Sequence, residues 1–94
     1  MLRKWYFYIV RCSDGSLYSG ISNDLTNRIE THNKGKGARY TLGRRPVLLV
    51  YSEKHEDISS ARKREEQVKK WRKEKKETLI EACSIYQKGK NEYE

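Results

Sequence analysis

The sequence predicts an α+β domain: a small three-stranded antiparallel sheet flanked by helices, in the order β-β-α-β-α-α. Two apolar runs, residues 5–12 and 16–21, are rich in aromatic and β-branched residues and flank the turn signal Ser-Asp-Gly-Ser. A third such run, "VLLVYSE", follows a basic glycine-rich stretch. The charged segments after "SND" and after "KHED" carry apolar residues at helical spacing instead.

Taken in order, residues 5–12 form the first strand, "SDGS" turns the chain, and residues 16–21 return. Ser22, Asn23 or Asp24 then caps a helix that runs to about Asn33 and stops before Gly35, with Leu25 and Ile29 as its buried stripe. "KGKGARYTLGRRP" shows no apolar period and reads as a basic loop. "VLLVYSE" is the third strand, closed by the polar "KHED", in which His55 is expected to be solvated. A helix follows from Ile58 to about Trp71, starting at Asp57 or just before it. Another is expected over 74–87, with Leu79, Ile80, Cys83 and Tyr86 inward. The domain is taken as residues 1–87, and residues 88–94 as a flexible tail.

Ninety-four residues suit one domain. With 35% apolar and 36% charged residues, the core is small and the surface heavily charged. A net charge of +8 on so small a domain favours a polyanionic partner, nucleic acid ahead of an anionic membrane. Cys12 and Cys83 lie far apart with no CxxC or Cys/His spacing, so they read as buried thiols in a reducing compartment. The apolar "WYFYIV" is too short for a signal segment or membrane span. A soluble cytoplasmic protein is the expectation. "GKGA" lacks the Lys-Ser/Thr ending and the preceding strand of a phosphate-binding loop, which argues against nucleotide binding.

Strand parity decides what the hairpin presents. A two-residue Asp14-Gly15 loop sets Arg11 opposite Tyr18 and sends Tyr8 and Tyr18 to opposite faces. A three-residue Ser13-Asp14-Gly15 loop with Gly15 left-handed pairs Cys12 with Ser16. Val10 then faces Tyr18, Tyr8 faces Gly20, and both tyrosines share a face. The three-residue loop is the expected one. It gives Gly20 a role, since a missing side chain leaves room beside the Tyr8 ring.

Three polar side chains sit against the apolar pattern. At about 100° per residue, Arg28 and His32 fall within about 60° of the inward Leu25. They are therefore placed to point at the tyrosine face. The plainer reading pairs Arg28 with Glu30 or Asp24 and lets His32 cap the helix end. The next helix has the stripe Ile58, Ala61, Glu65, Val68, which puts a carboxylate in an apolar slot. Such a group is costly unless it is paired or binds a cation. A salt bridge to Arg28 or a nearby lysine is the plainer alternative. Arg62, Lys63, Arg64, Lys69 and Lys70 face mostly outward, suited to phosphate contacts.

With these residues placed, the chain resembles the GIY-YIG nuclease domain, above all its small stand-alone bacterial members. "FYI" (Phe7-Tyr8-Ile9) stands where that family has GIY, and "YSG" (Tyr18-Ser19-Gly20) where it has YIG. "NRIETH" supplies an Arg-x-x-x-His helix through Arg28 and His32, and "ARKREEQVKKW" supplies a glutamate as Glu65. The first motif lacks its glycine, and the late asparagine of many members has no counterpart after Glu65. Asn91 falls in the expected tail.

The resemblance implies an endonuclease that hydrolyses DNA phosphodiester bonds with one divalent ion, Mg²⁺ or Mn²⁺, on Glu65. It implies roles for Tyr8 or Tyr18 at the attacking water, with His32 as a further candidate proton acceptor, and for Arg28 at the scissile phosphate. DNA repair or the processing of branched or irregular DNA is the implied setting, with RNA as an alternative substrate. Lys34, Lys36, Arg39, Arg44 and Arg45 of the loop are expected to grip flanking backbone. The chain leaves no room for a targeting domain, so it either acts with a protein partner or cuts with little selectivity. The competing reading is a basic, catalytically weak DNA- or RNA-binding module; a lesser one makes "KKWRKEKK" a docking helix.

Overall fold

Three antiparallel strands, β1 (Trp5–Arg11), β2 (Leu17–Ser22) and β3 (Leu48–His55), form one sheet in the order β2-β1-β3. The computed structural model describes residues 4–92, with side chains described for residues 4–83. The helices are α1 (Leu25–Asn33), α2 (Arg39–Leu42), α3 (Ile58–Lys69) and α4 (Lys73–Glu92). The predicted fold class and element order are those observed, with one element added.

The central strand explains the two-sided core. Phe7, Tyr8, Ile9 and Val10 are all fully buried, so successive side chains enter opposite faces of the sheet. Phe7 and Ile9 pack with Val68 and Ile80, with Trp71 and Leu79 alongside. Tyr8 and Val10 pack with Cys12 and Val47, with Tyr18, Leu25 and Ile29 alongside. Each such side chain contributes about 1.5–3 kcal/mol by leaving water.

The hairpin has the three-residue loop. Gly15 has φ +85°, the Cys12 N–H donates to Ser16 O at 2.8 Å, and the Gly15 N–H donates to Cys12 O at 3.0 Å. A Cβ at Gly15 would meet nothing, so the glycine serves the left-handed backbone. Tyr8 accordingly pairs with Gly20 and Val10 with Tyr18.

Both expected helix starts have side-chain caps. Asp24 Oδ1 accepts from the Asn27 N–H at 3.1 Å, and Asp57 Oδ1 from the Ser60 N–H at 2.8 Å. Arg11 forms a forked pair with Glu77, at 2.8 and 2.6 Å, that ties β1 to α4.

Four expectations change. The glycine-rich loop contains the one-turn helix α2, closed by the Thr41 N–H on Ala38 O at 3.2 Å. Ile58, assigned to a buried stripe, is 37% exposed at the start of α3, whereas Ala61 and Val68 are buried. The helix α4 runs on to Glu92, past the expected end at residue 87, and Tyr86 and Asn91 fall outside the described side chains.

The fourth concerns His55, which is not simply solvated. It ends β3 with Nδ1 2.8 Å from Ser60 Oγ and Nε2 2.9 Å from Glu53 Oε1. Glu53 also accepts from the Tyr51 hydroxyl and from Arg64 Nε at 2.9 Å. Burial alone would raise the Glu53 pKa. The Tyr51 and His55 hydrogen bonds, with the Arg64 charge, outweigh burial and hold it below the ordinary value of 4.5. The same network, led by burial, pushes Tyr51 up to about 12. A carboxylate with a depressed folded pKa stabilises fully above its unfolded value and loses that contribution as pH falls through the folded one. Glu53→Gln is therefore expected to lower stability at pH 7 by about 1–3 kcal/mol. It should also flatten the loss of stability below pH 4.5, as read by urea unfolding across pH.

Candidate active site

The shared face of the hairpin carries the site. Tyr8 lies across Gly20, and an ideal Cβ at Gly20 would stand 2.6 Å from the Tyr8 hydroxyl oxygen. The phenol can lie there only because Gly20 has no side chain.

The last turn of α1 brings His32 to this phenol. His32 is fully buried, with Nε2 2.9 Å from the Tyr8 hydroxyl and Nδ1 2.8 Å from Thr41 Oγ1. It does not cap the helix end. One turn earlier, Arg28 Nε donates to the Tyr8 hydroxyl oxygen at 3.4 Å. Among the described residues Arg28 forms no ion pair; Asp24 caps α1 instead. The two groups at the edge of the apolar stripe therefore do turn onto the tyrosine face.

The loop after α1 completes the histidine's seat. A Cβ on Gly37 would come within 2.3 Å of His32 Nδ1 and 2.9 Å of its Cα, so the backbone passes directly against the imidazole. Thr41, fully buried in α2, donates its hydroxyl to Ala38 O at 2.9 Å. Tyr18 packs beside His32 with ring centroids 5.5 Å apart and stacks on Tyr40 at 5.9 Å.

Burial, and then the Arg28 charge, push His32 below the usual imidazole value of 6.5, so it is neutral at pH 7. Burial raises the Tyr8 pKa above 10.0; the Arg28 hydrogen bond and charge offset part of that rise. The Tyr18 and Glu65 charges add smaller upward pushes, so the Glu65 carboxylate acts electrostatically on this phenol. Glu65 comes from α3, is 18% exposed, and pairs with Lys69 at 3.3 Å. That is the nearby-lysine pairing allowed by the sequence, but Lys69 is 51% exposed and such a pair contributes little. Tyr8, Tyr18, Arg28 and His32 thus gather directly, with Glu65 within electrostatic reach.

The five loop cations divide. Arg44 donates to Asp14 Oδ2 at 3.1 Å and to Tyr40 O at 2.8 Å, and its guanidinium lies 4.1 Å from the Tyr40 ring centre. Arg45 donates to Leu42 O at 2.8 Å and Asn33 O at 3.3 Å. Both fasten the loop to its surroundings. Lys34, Lys36 and Arg39 are exposed and make no side-chain hydrogen bond or ion pair among the described residues. On α3, Arg62 and Lys63 are exposed, as is Lys70 just past its end, but Arg64 is committed to Glu53 and Gln67.

Sequence reasoning missed Gly37, Tyr40 and Thr41. They lie in a stretch whose only sequence signal is its glycines, and their roles depend on where His32 sits. An apolar cleft of about 580 Å³ lined by Leu25, Ile29 and Leu49 includes Lys34 but none of Tyr8, Tyr18, Arg28, His32 and Glu65.

The model of the GIY-YIG catalytic domain matches residues 4–78, which includes every site residue above. The chain belongs to the GIY-YIG family. A UPF0213 protein of Bacillus pumilus is 46% identical over 88 residues, covering 94% of this chain and 90% of its own. A UPF0213 protein of Staphylococcus aureus is 53% identical over 75 residues, covering 80% and 92%. Two solution structures share the fold. A UPF0213 protein from Bacillus halodurans has a TM-score of 0.55 at 40% identity, covering 84% of each chain. A protein from E. faecalis has a TM-score of 0.60 at 38% identity, covering 87% of this chain and 88% of that one. Membership of the GIY-YIG family implies nuclease activity and a DNA substrate. Among the described residues no helix is long and apolar enough to cross a membrane.

Proposed function

We propose that this GIY-YIG domain is a divalent-metal-dependent endonuclease that hydrolyses DNA phosphodiester bonds, serving repair or the processing of branched and otherwise irregular DNA. The observation that carries the reading is the Tyr8–His32 hydrogen bond at 2.9 Å, with Arg28 on the same phenol. Pure binding has no need of a buried neutral imidazole behind a buried phenol.

Tyr8 is the group that meets the attacking water. A neutral phenol is a poor base, so it takes the water's proton only as its own proton leaves for His32 Nε2. The depressed His32 pKa keeps the imidazole neutral at pH 7, with one ring nitrogen free to accept a proton. Arg28 contributes Nε to Tyr8 and has the rest of its guanidinium for the charge on the scissile phosphate. Tyr18 walls the site beside His32. Lys34, Lys36 and Arg39 grip flanking phosphates, whereas Arg44 and Arg45 keep the loop in shape.

Among the described residues no three His, Cys, Asp or Glu side chains gather, so an ion would not be caged by protein alone. A single carboxylate such as Glu65 fits Mg²⁺ or Mn²⁺, since Mg²⁺ keeps several waters and takes substrate oxygens. One ion on Glu65 would supply charge neutralisation at the phosphate and at the departing oxygen.

The test is incubation with supercoiled plasmid and with branched DNA, in Mg²⁺ and in EDTA. Cleavage only with the metal is expected; equal cleavage in EDTA would remove the reading. The phosphate contacts have their own readout. Replacing Lys34, Lys36 and Arg39 together by alanine is expected to flatten the slope of log affinity against log salt by about 2–3. An unchanged slope would place the backbone contacts elsewhere.

A further inference from the structure

We infer that Thr41 is a positioning residue that fixes His32 as the tautomer protonated on Nδ1, leaving Nε2 open to the Tyr8 proton. This rests on the reading of Tyr8 and His32 as the proton-accepting pair. Tyr8, His32, Thr41 and the Ala38 carbonyl form one hydrogen-bonded chain of four groups. Thr41 Oγ1 lies 2.9 Å from Ala38 O and 2.8 Å from His32 Nδ1. A carbonyl oxygen cannot donate, so the single hydroxyl proton lies between Thr41 and Ala38; turned toward Nδ1 instead, it would leave two oxygens 2.9 Å apart with no proton between them. The Thr41 oxygen is then an acceptor toward the imidazole, and Nδ1 carries the proton. Nε2 is left with its lone pair, and the Tyr8 hydroxyl donates to it at 2.9 Å.

The order Tyr8 O–H to His32 to Thr41 to Ala38 C=O lets a proton enter the imidazole without any other proton having to move. When the water's proton reaches Tyr8 Oη, the Tyr8 proton passes to Nε2. The resulting imidazolium keeps Nδ1–H on Thr41. The opposite tautomer would reverse this: Nε2–H would donate to Tyr8, and the phenol would have no acceptor behind it.

The surroundings show how the wrong tautomer would arise. The Ala38 N–H points at Nδ1 from 3.5 Å, a weak contact that suits a bare nitrogen. With the Thr41 hydroxyl gone, Nδ1–H has no acceptor, and this N–H favours moving the proton to Nε2. Thr41 is fully buried, and Gly37 closes the other side of the ring, so water has no evident place to substitute.

The test uses the imidazole ¹⁵N chemical shifts of His32 in the full chain, together with plasmid cleavage, for wild type, Thr41→Val and Thr41→Ser. Wild type and Thr41→Ser are expected to show the Nδ1–H tautomer. Thr41→Val is expected to show Nε2–H and to cut about 100-fold more slowly, the scale of a lost general base. Thr41→Ser is expected to recover most of that loss. A wild-type His32 protonated on Nε2 would overturn the inference without any variant being needed. So would a folded Thr41→Val that keeps the Nδ1–H tautomer. If the tautomers behave as inferred but wild type cuts no DNA, Thr41 still sets the tautomer, and the nuclease reading alone fails.

Discussion

Gly20→Ala is expected to slow cleavage about 100-fold although it adds only one methyl group at a β-strand position. The new Cβ would stand 2.6 Å from Tyr8 Oη, 2.7 Å from Cζ and 3.1 Å from Cε2. Tyr8 is fully buried and its hydroxyl is hydrogen-bonded to His32, so the ring cannot swing aside as a surface side chain would. Gly20 is not among the glycines with positive φ, so steric conflict rather than backbone strain governs the outcome. In a strand, replacing glycine by alanine would otherwise gain about 0.5–1 kcal/mol. Overpacking reverses that sign and costs about 1–3 kcal/mol. The larger effect falls on activity, because displacing the phenol by about 1 Å is enough to lose roughly 100-fold. Urea unfolding and plasmid cleavage on one preparation measure both. A stable, fully active Gly20→Ala protein would show that the Tyr8 position does not matter.

Tyr8→Phe and Tyr18→Phe are expected to separate sharply. Without its hydroxyl, Tyr8 can neither approach water nor pass a proton to His32, and cleavage is expected to fall by about 10²–10⁴. Tyr18 makes its contacts through its ring, stacked on Tyr40 and edge-on to His32, and its hydroxyl has no hydrogen bond among the described residues. Tyr18→Phe is therefore expected to retain most activity. The pH dependence adds a second check. His32 accepts only when neutral, and burial sets its pKa below 6.5, so wild-type cleavage should decline in acid at a pH below that value. A depressed folded pKa also means that folded stability falls as His32 protonates on the acid side. Equal loss in both phenylalanine variants would contradict the division of labour between the tyrosines.

What the sequence made legible follows period. The alternation of strand side chains narrowed the hairpin to two registers, and the left-handed Gly15 selects the one that places Tyr8 opposite Gly20. Helical spacing put Arg28 and His32 within reach of the tyrosine face without excluding the plainer pairing, and it singled out Glu65 on α3. The one-turn helix α2 was not legible, since four residues are too few to show a period. Thr41 therefore looked like part of a loop, though it is buried behind His32. The loop cations were alike in composition and differ only in tertiary setting: Arg44 meets Asp14 across the hairpin turn, while Lys34, Lys36 and Arg39 remain on the surface. His55 read as a turn residue because the end of β3 is polar, and its partners Glu53 and Ser60 converge on it only once α3 has docked.

The central claim is that Glu65 completes one hydrolytic centre with Tyr8, His32 and Arg28. The measurement that tests it most directly sets Glu65→Gln against wild type, reading Mg²⁺-dependent plasmid cleavage and DNA affinity on the same samples. Glutamine keeps the size of the side chain and removes its charge. The account predicts unchanged DNA affinity with cleavage lost; cleavage by Glu65→Gln at the wild-type rate would contradict it.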